Sequence, residues 1–185
     1  MEEDLRPNLV VLAGGSAGIV LVSALMLPWP AAVASAVLGA LMIAGADVDA
    51  RTYLLPDIVT WGAAASGIAA AMALDPYDGW HAAIAALLRA LGTALALALM
   101  RHWYARLRTR EGLGFGDVKL AAAVGAWLSL DTIPLCFGLA AGAALAAVTF
   151  VHLRGEAISA STRIPFGAFL CPALWLVFYV SVLPA

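Results

Sequence analysis

The sequence predicts an all-α polytopic membrane protein, a bundle of six or seven transmembrane helices. Hydrophobic residues fill 64% of the 185 positions and charged residues only 12%, whereas a soluble domain has about 25% charged residues. The mean hydropathy is +0.96. Several apolar stretches approach the roughly 20 residues that a helix needs to cross a bilayer. We therefore predict a single transmembrane domain over residues 1–185.

Polar links and turn residues divide the chain into seven apolar runs. In order, the runs cover residues 8–27, 31–49, 57–74, 80–104, 115–130, 133–152 and 166–183. Pro28-Trp29-Pro30 separates the first two runs, because proline interrupts a helix. A polar link from Arg51 to Pro56 separates the second run from the third.

The later runs are bounded in the same way. Residues 75–79 form a turn before the fourth run, which Arg89 interrupts, and a basic loop is expected from Arg101 to Glu111. A tight turn at Asp131-Thr132 follows the fifth run, and a polar segment over residues 153–163 precedes the seventh. The fifth run is the shortest, which is why the expected number of spans is six or seven.

The distribution of Lys and Arg predicts the orientation of the helices, because cytoplasmic links carry the excess of positive charge. The basic links lie around Arg6, around Arg51, over residues 101–110 and over residues 154–163. They alternate with links at residues 28–30, 75–79 and 131–132, which contain no Lys or Arg. This pattern predicts a multi-pass protein of the cytoplasmic (inner) membrane, with its N-terminus in the cytoplasm. Arg89 is the exception, placed either at the outer interface or snorkelling towards it.

Four acidic residues are expected at the same depth, at the cytoplasmic interface: Asp47, Asp49, Asp57 and Asp117. The second run ends there with the first two, which point to roughly opposite sides of a helix. One of those two is therefore expected to face Asp117, at the start of the fifth run. Asp57 follows Pro56 at a helix start, where a carboxylate can cap free N–H groups.

A pair of facing carboxylates predicts aspartyl protease chemistry. Two such groups at low dielectric cannot both ionise easily, so they can share a proton and activate a water molecule. Other nucleophiles are less convincing, since the serines within the apolar runs have no His or Lys at an evident spacing. His81, His102 and His152 show no metal-ligand spacing, and Cys136 and Cys171 form no CxxC pair. No metal or other cofactor is expected.

Three segments resemble motifs of the type IV prepilin peptidases. Residues 49–57 (DARTYLLPD) resemble the first motif, an Asp followed at a distance by Pro-Asp or Pro-Asn. Residues 112–120 (GLGFGDVKL) are similar to the second, which contains GxGD. Residues 164–167 (IPFG) resemble a third segment near the C-terminus.

The resemblance implies a membrane aspartyl endopeptidase with Asp49 and Asp117 as its catalytic pair. The same motifs place supporting or substrate-binding roles on Pro56, Asp57, Gly114, Gly116 and Lys119. We expect Lys119 to snorkel to the interface and contribute to binding of anionic lipid or substrate.

The implied partners are the lipid bilayer and a prepilin or pseudopilin, which carries a short basic leader before a hydrophobic helix. No nucleic acid is expected as a partner. Larger family members have a cytoplasmic domain after the first helix, often with paired CxxC motifs, and also N-methylate the product with S-adenosylmethionine. Only Pro28-Trp29-Pro30 stands at that place here. The chain thus resembles the compact Flp/Tad-type or preflagellin peptidases, and methyl transfer is not assigned to it.

Two other functions fit the sequence less well. Residues 47–51 (DVDAR) loosely resemble the Asp clusters of Mg²⁺-dependent membrane phosphotransferases, but residues 72–78 do not supply the further aspartates which that chemistry needs. A scaffold or an ion or proton transport subunit would usually carry its acids near the membrane midplane. The acids of this chain cluster at one end of the helices instead.

Overall fold

Seven α-helices make up the computed structural model, which describes residues 7–108, 114–154 and 164–184. The helices are α1 (Leu9–Met26), α2 (Trp29–Thr52), α3 (Asp57–Leu74), α4 (Gly79–Arg108), α5 (Phe115–Trp127), α6 (Ile133–Leu153) and α7 (Phe166–Ser181). The described ranges contain no β-strand. Each helix coincides with one predicted apolar run, so the all-α fold class is confirmed.

The signals that begin and end α1 and α2 are local. The Asn8 side chain caps α1 by accepting a hydrogen bond from the Val10 N–H at 3.0 Å. Helix α2 begins earlier than predicted, because a proline in the first turn, here Pro30, has no N–H that needs a partner. It ends at Thr52, because the next residue, Tyr53, has a left-handed backbone (φ 58°) that cannot continue a right-handed helix.

The expected basic loop over residues 101–111 is wrong for its first part. Helix α4 continues through Arg101 and ends at Arg108, and residues 109–111 lie outside the described ranges. The segment 101–108 contains neither Gly nor Pro and includes several good helix formers. Charge alone therefore does not end the helix, and Arg89 does not interrupt it.

Five helices are long and apolar enough to cross a membrane: α1, α2, α3, α4 and α6. Helices α7 and α5 are shorter, with 16 and 13 residues. The chain is thus a multi-pass membrane protein built as a helical bundle. Helix α5 is its innermost element, because most of its residues are buried and it packs against α3, α4 and α7.

Helix α5 is joined to α3 by one large side chain. The Trp127 Nε1–H donates a hydrogen bond of 2.7 Å to the buried Ala63 carbonyl oxygen. A Cβ atom at Gly67 would lie 2.7 Å from Cδ1 of the same indole, so the two helices approach closely only because residue 67 is a glycine. The first turns of α3 and α5 lie at the same end of the bundle, where Lys119 meets Asp57.

Candidate active site

Asp49 lies buried near the end of α2 and contacts the beginning of α7. Its Oδ2 accepts a hydrogen bond of 2.7 Å from the Ala168 N–H, and 4% of the residue is exposed. Ala168 is in the first turn of α7, where N–H groups have no acceptor within their own helix. Asp49 therefore caps α7 from another helix, and the dipole of α7 favours a negative charge there.

This contact requires a glycine at position 167. A Cβ atom at Gly167 would lie 2.8 Å from Asp49 Oδ2 and 2.8 Å from Leu55 Cδ1. Both distances are well inside van der Waals contact, so any side chain would move α7 or displace the Asp49 carboxyl group. The segment 164–167, singled out in the sequence, thus has a direct structural role beside Asp49.

Asp117 is the third residue of α5 and is also buried, with 9% of the residue exposed. Its Oδ2 accepts a hydrogen bond of 3.2 Å from the N–H of Gly114, the residue that caps the helix. This bond holds the carboxyl group against the N-terminal end of α5 rather than in solvent. Gly112 and Leu113, the first residues of the segment 112–120, lie outside the described residues.

Leu55 connects the surroundings of the two acids. This partly buried side chain belongs to the link between α2 and α3. A Cβ atom at Gly116 would lie 3.1 Å from Leu55 Cβ, and one at Gly167 would lie 2.8 Å from Leu55 Cδ1. The leucine therefore fills the narrow space between the first turns of α5 and α7, next to both carboxyl groups.

Asp49 and Asp117 are close enough to interact electrostatically. The structure thus brings together the two acids that the sequence placed at one end of the bundle. A pair of buried carboxyl groups with backbone N–H donors can hold one proton between them and polarise a water molecule.

Asp47 lies outside this pair, as expected. Its Oδ2 accepts hydrogen bonds from the Asn8 N–H at 2.8 Å and from the Arg51 guanidinium at 2.7 Å. The bond from Asn8 joins the end of α2 to the beginning of α1, whereas Arg51 lies on α2 itself. Asp47 therefore has a structural partner on another face of α2.

Asp57 and Lys119 form a contact that the sequence reasoning missed. Asp57 is in the first turn of α3, as predicted, but the predicted capping hydrogen bond is wrong, since the capping residue is Pro56 and no side chain caps the helix. Instead, Asp57 Oδ1 lies 2.5 Å from Lys119 Nζ. The ammonium group also stands over the Phe115 ring, 5.2 Å from its centroid. Lys119 thus joins α5 to α3 rather than extending alone to the interface.

Several of the remaining candidate nucleophiles have structural partners. Ser23 and Ser35 share a buried hydrogen bond of 2.9 Å, and Cys136 and Cys171 are buried within the core. His81 pairs with Asp78 beside the turn between α3 and α4. Across the described residues, no three His, Cys, Asp or Glu side chains are grouped so that they could hold a metal ion.

Comparison with known proteins identifies a family. The model of the type IV leader peptidase family matches residues 36–151. Leader peptidase HopD of Escherichia coli is 36% identical over 135 residues, which cover 73% of this chain and 84% of that protein. The prepilin leader peptidase/N-methyltransferase of Burkholderia pseudomallei (strain K96243) is 33% identical over 167 residues, and that of Dickeya chrysanthemi is 35% identical over 144 residues. These matches span only about half of the two longer proteins, 52% and 48%. No solved structure gives a significant match.

Proposed function

The chain belongs to the type IV leader peptidase family, and on that premise we propose that Asp49 and Asp117 are the catalytic pair of a membrane aspartyl endopeptidase. The observation that carries this assignment is the pairing itself. The two buried carboxyl groups, each of which accepts a hydrogen bond from a backbone N–H, interact at the end of the bundle where α5 and α7 begin. Asp47 and Asp57 have other partners, which supports their exclusion from the pair.

The proposed mechanism uses the different surroundings of the two acids. Asp49 faces the positive end of the α7 dipole, so we assign it the ionised state and the base role. It takes a proton from the water whose oxygen attacks the scissile carbonyl carbon. Asp117 holds the shared proton and donates a hydrogen bond to the carbonyl oxygen as charge develops there. Collapse of the tetrahedral intermediate breaks the C–N bond, and the proton on Asp49 passes to the leaving amine.

The proposed substrate is a prepilin-like protein, in keeping with the names of the relatives. Both acids lie at helix ends, where a leader just outside the bilayer can reach them while the following apolar helix stays in the lipid. Arg51, Arg101 and Arg106 lie at helix ends on the same side of the bundle as the acid pair. By the positive-inside rule, these arginines support our proposal that the site faces the cytoplasm at the inner membrane.

Supporting roles follow from the contacts around the pair. Gly114 orients Asp117 through its N–H, and Gly116 leaves room for Leu55. Pro56 begins α3 without a side-chain cap, and Asp57 links this helix to Lys119. We propose that this ion pair holds the N-terminal ends of α3 and α5 together next to the path of the substrate.

The test replaces each acid by its isosteric amide. Full-length Asp49→Asn and Asp117→Asn variants are reconstituted in liposomes with a prepilin-type substrate, and cleavage is followed by mass spectrometry of the new N-terminus. Each variant should lose cleavage by at least about a hundredfold, because proton transfer no longer occurs. Asp47→Asn is the matched control, since it changes the same helix and keeps an oxygen that can accept from the Asn8 N–H. Cleavage at the normal rate by either pair variant would refute the assignment.

A further inference from the structure

Helix α5 is too short to cross the bilayer. Its 13 residues span about 20 Å at a rise of about 1.5 Å per residue, whereas the hydrocarbon core is about 30 Å thick. The helix begins at Phe115, beside the acid pair, so its other end at Trp127 stops about 10 Å short of the opposite surface. Residues 128–132 continue the chain beyond α5, beginning with the buried and extended Leu128.

A cavity of about 330 Å³ lies at that end, between α3, α4, α5 and α7. Part of its wall is apolar and includes Leu74 and Phe178. The other part is polar and is formed by Arg89, Ser129 and Ser181. This lining suits an amphiphile with a polar head and an apolar tail better than it suits water or a hydrocarbon chain alone.

Arg89 carries a positive charge that no carboxylate balances within the described residues. The side chain is partly buried, and its Nε–H donates a hydrogen bond of 3.3 Å to the Gly125 carbonyl oxygen near the end of α5. In the described part of the chain, that is the one hydrogen bond from its guanidinium group. A charged group in a membrane span is costly without an opposite charge, and a guanidinium fork matches the oxygens of a phosphate.

We propose that this recess, defined by Arg89, Ser129, Ser181 and the apolar wall, binds the head of an anionic phospholipid. The phosphate diester pairs with the terminal nitrogens of Arg89, and an acyl chain lies along the wall next to Phe178. The lipid fills the recess beside the end of α5 and balances the charge of Arg89. Arg89 also donates a hydrogen bond to the last turn of α5. A lipid bound in the recess therefore holds α5 in place, and α5 carries Asp117 at its other end.

The binding experiment uses the full chain, delipidated in a neutral detergent, and measures thermal stability and the lipid retained in native mass spectra. Three probes separate the sources of the interaction: dioleoylphosphatidylglycerol, dioleoylglycerol and inorganic phosphate. The phospholipid alone should raise the melting temperature and stay bound. Equal stabilisation by dioleoylglycerol would refute the phosphate contact, and equal stabilisation by inorganic phosphate would refute the lipid as the occupant.

Variants test the place of binding. Arg89→Met should weaken retention of the phospholipid by at least about tenfold, and Arg89→Lys should restore part of it, because a charged partner in a partly buried site contributes more than one factor of ten in affinity. Because Arg89 also contacts α5, a second variant leaves it intact. Ala71→Phe fills the recess from α3 and should abolish retention, whereas Ala65→Phe on the exposed face of α3 should not. Phospholipid binding by Ala71→Phe at the level of the unaltered chain would overturn the proposal.

Discussion

Replacement of Gly167 by alanine tests the geometry of the acid pair with a single methyl group. The added Cβ would lie 2.8 Å from Asp49 Oδ2 and 2.8 Å from Leu55 Cδ1, about 0.6 Å inside ordinary van der Waals contact. Asp49 cannot yield without losing its 2.7 Å hydrogen bond from Ala168. Either α7 moves or the carboxyl group rotates, and both displace it from Asp117.

The size of the effect follows from the size of that displacement. Overpacking of this kind costs about 1–3 kcal/mol when the strain falls on stability. Displacement of a catalytic group by up to about 1 Å costs up to about a hundredfold in rate. We expect Gly167→Ala to lower kcat by about tenfold to a hundredfold with little change in KM. The assay is cleavage of a prepilin-type substrate in liposomes, with thermal unfolding of the same preparations.

A matched control separates this effect from a general response to alanine in a helix. Gly142 lies on the exposed face of α6, and a Cβ there would meet nothing within 4 Å. Gly142→Ala should therefore leave cleavage unchanged and stabilise the helix by about 0.5–1 kcal/mol. If Gly167→Ala cleaved and unfolded like the unaltered chain, the close packing of α7 on Asp49 would be disproved.

Three further predictions concern contacts around the pair and its chemistry. Lys119→Met should weaken substrate use but leave turnover measurable, and complete loss of turnover in a folded Lys119→Met chain would contradict this. A double-mutant cycle with Asp57→Asn should give a coupling energy below about 1 kcal/mol, because Asp57 is exposed. Trp127→Phe should destabilise the chain by about 0.5–1.5 kcal/mol in denaturant unfolding, because the hydrogen bond from the indole to the Ala63 carbonyl oxygen is lost while Ser66 still donates to that oxygen; unchanged stability would argue against that hydrogen bond. Cleavage should be the same with and without EDTA, since a carboxylate pair activates water without a metal; activity lost in EDTA and restored by Mg²⁺ would refute the proposed mechanism.

Periodic apolar runs and their breaks were enough to predict the helices. Hydrophobic length is a local property, so the third run coincides with α3, and the sixth ends one residue before α6 does. Alternation of basic and uncharged links placed Asp49 and Asp117 at the same end of the bundle, because antiparallel neighbours bring every second link to one side. The predicted end of α4 was too early. Charged residues such as Arg101 favour helix, but a hydropathy pattern alone predicts a loop for them.

The partners of individual side chains depended on tertiary structure. Asp57 could cap its own helix by local rules, yet it pairs with Lys119 because packing of α3 on α5 brings the two helix starts together. Leu55 and Gly167 carry no chemical signature, and their importance is steric, arising only where α7 meets the link that follows α2. The sequence did not explain the charge of Arg89. The structure shows that Arg89 donates to the end of the short helix α5 and lines the recess there. Such contacts join residues far apart along the chain, so their distances are set by how the helices pack and not by local sequence.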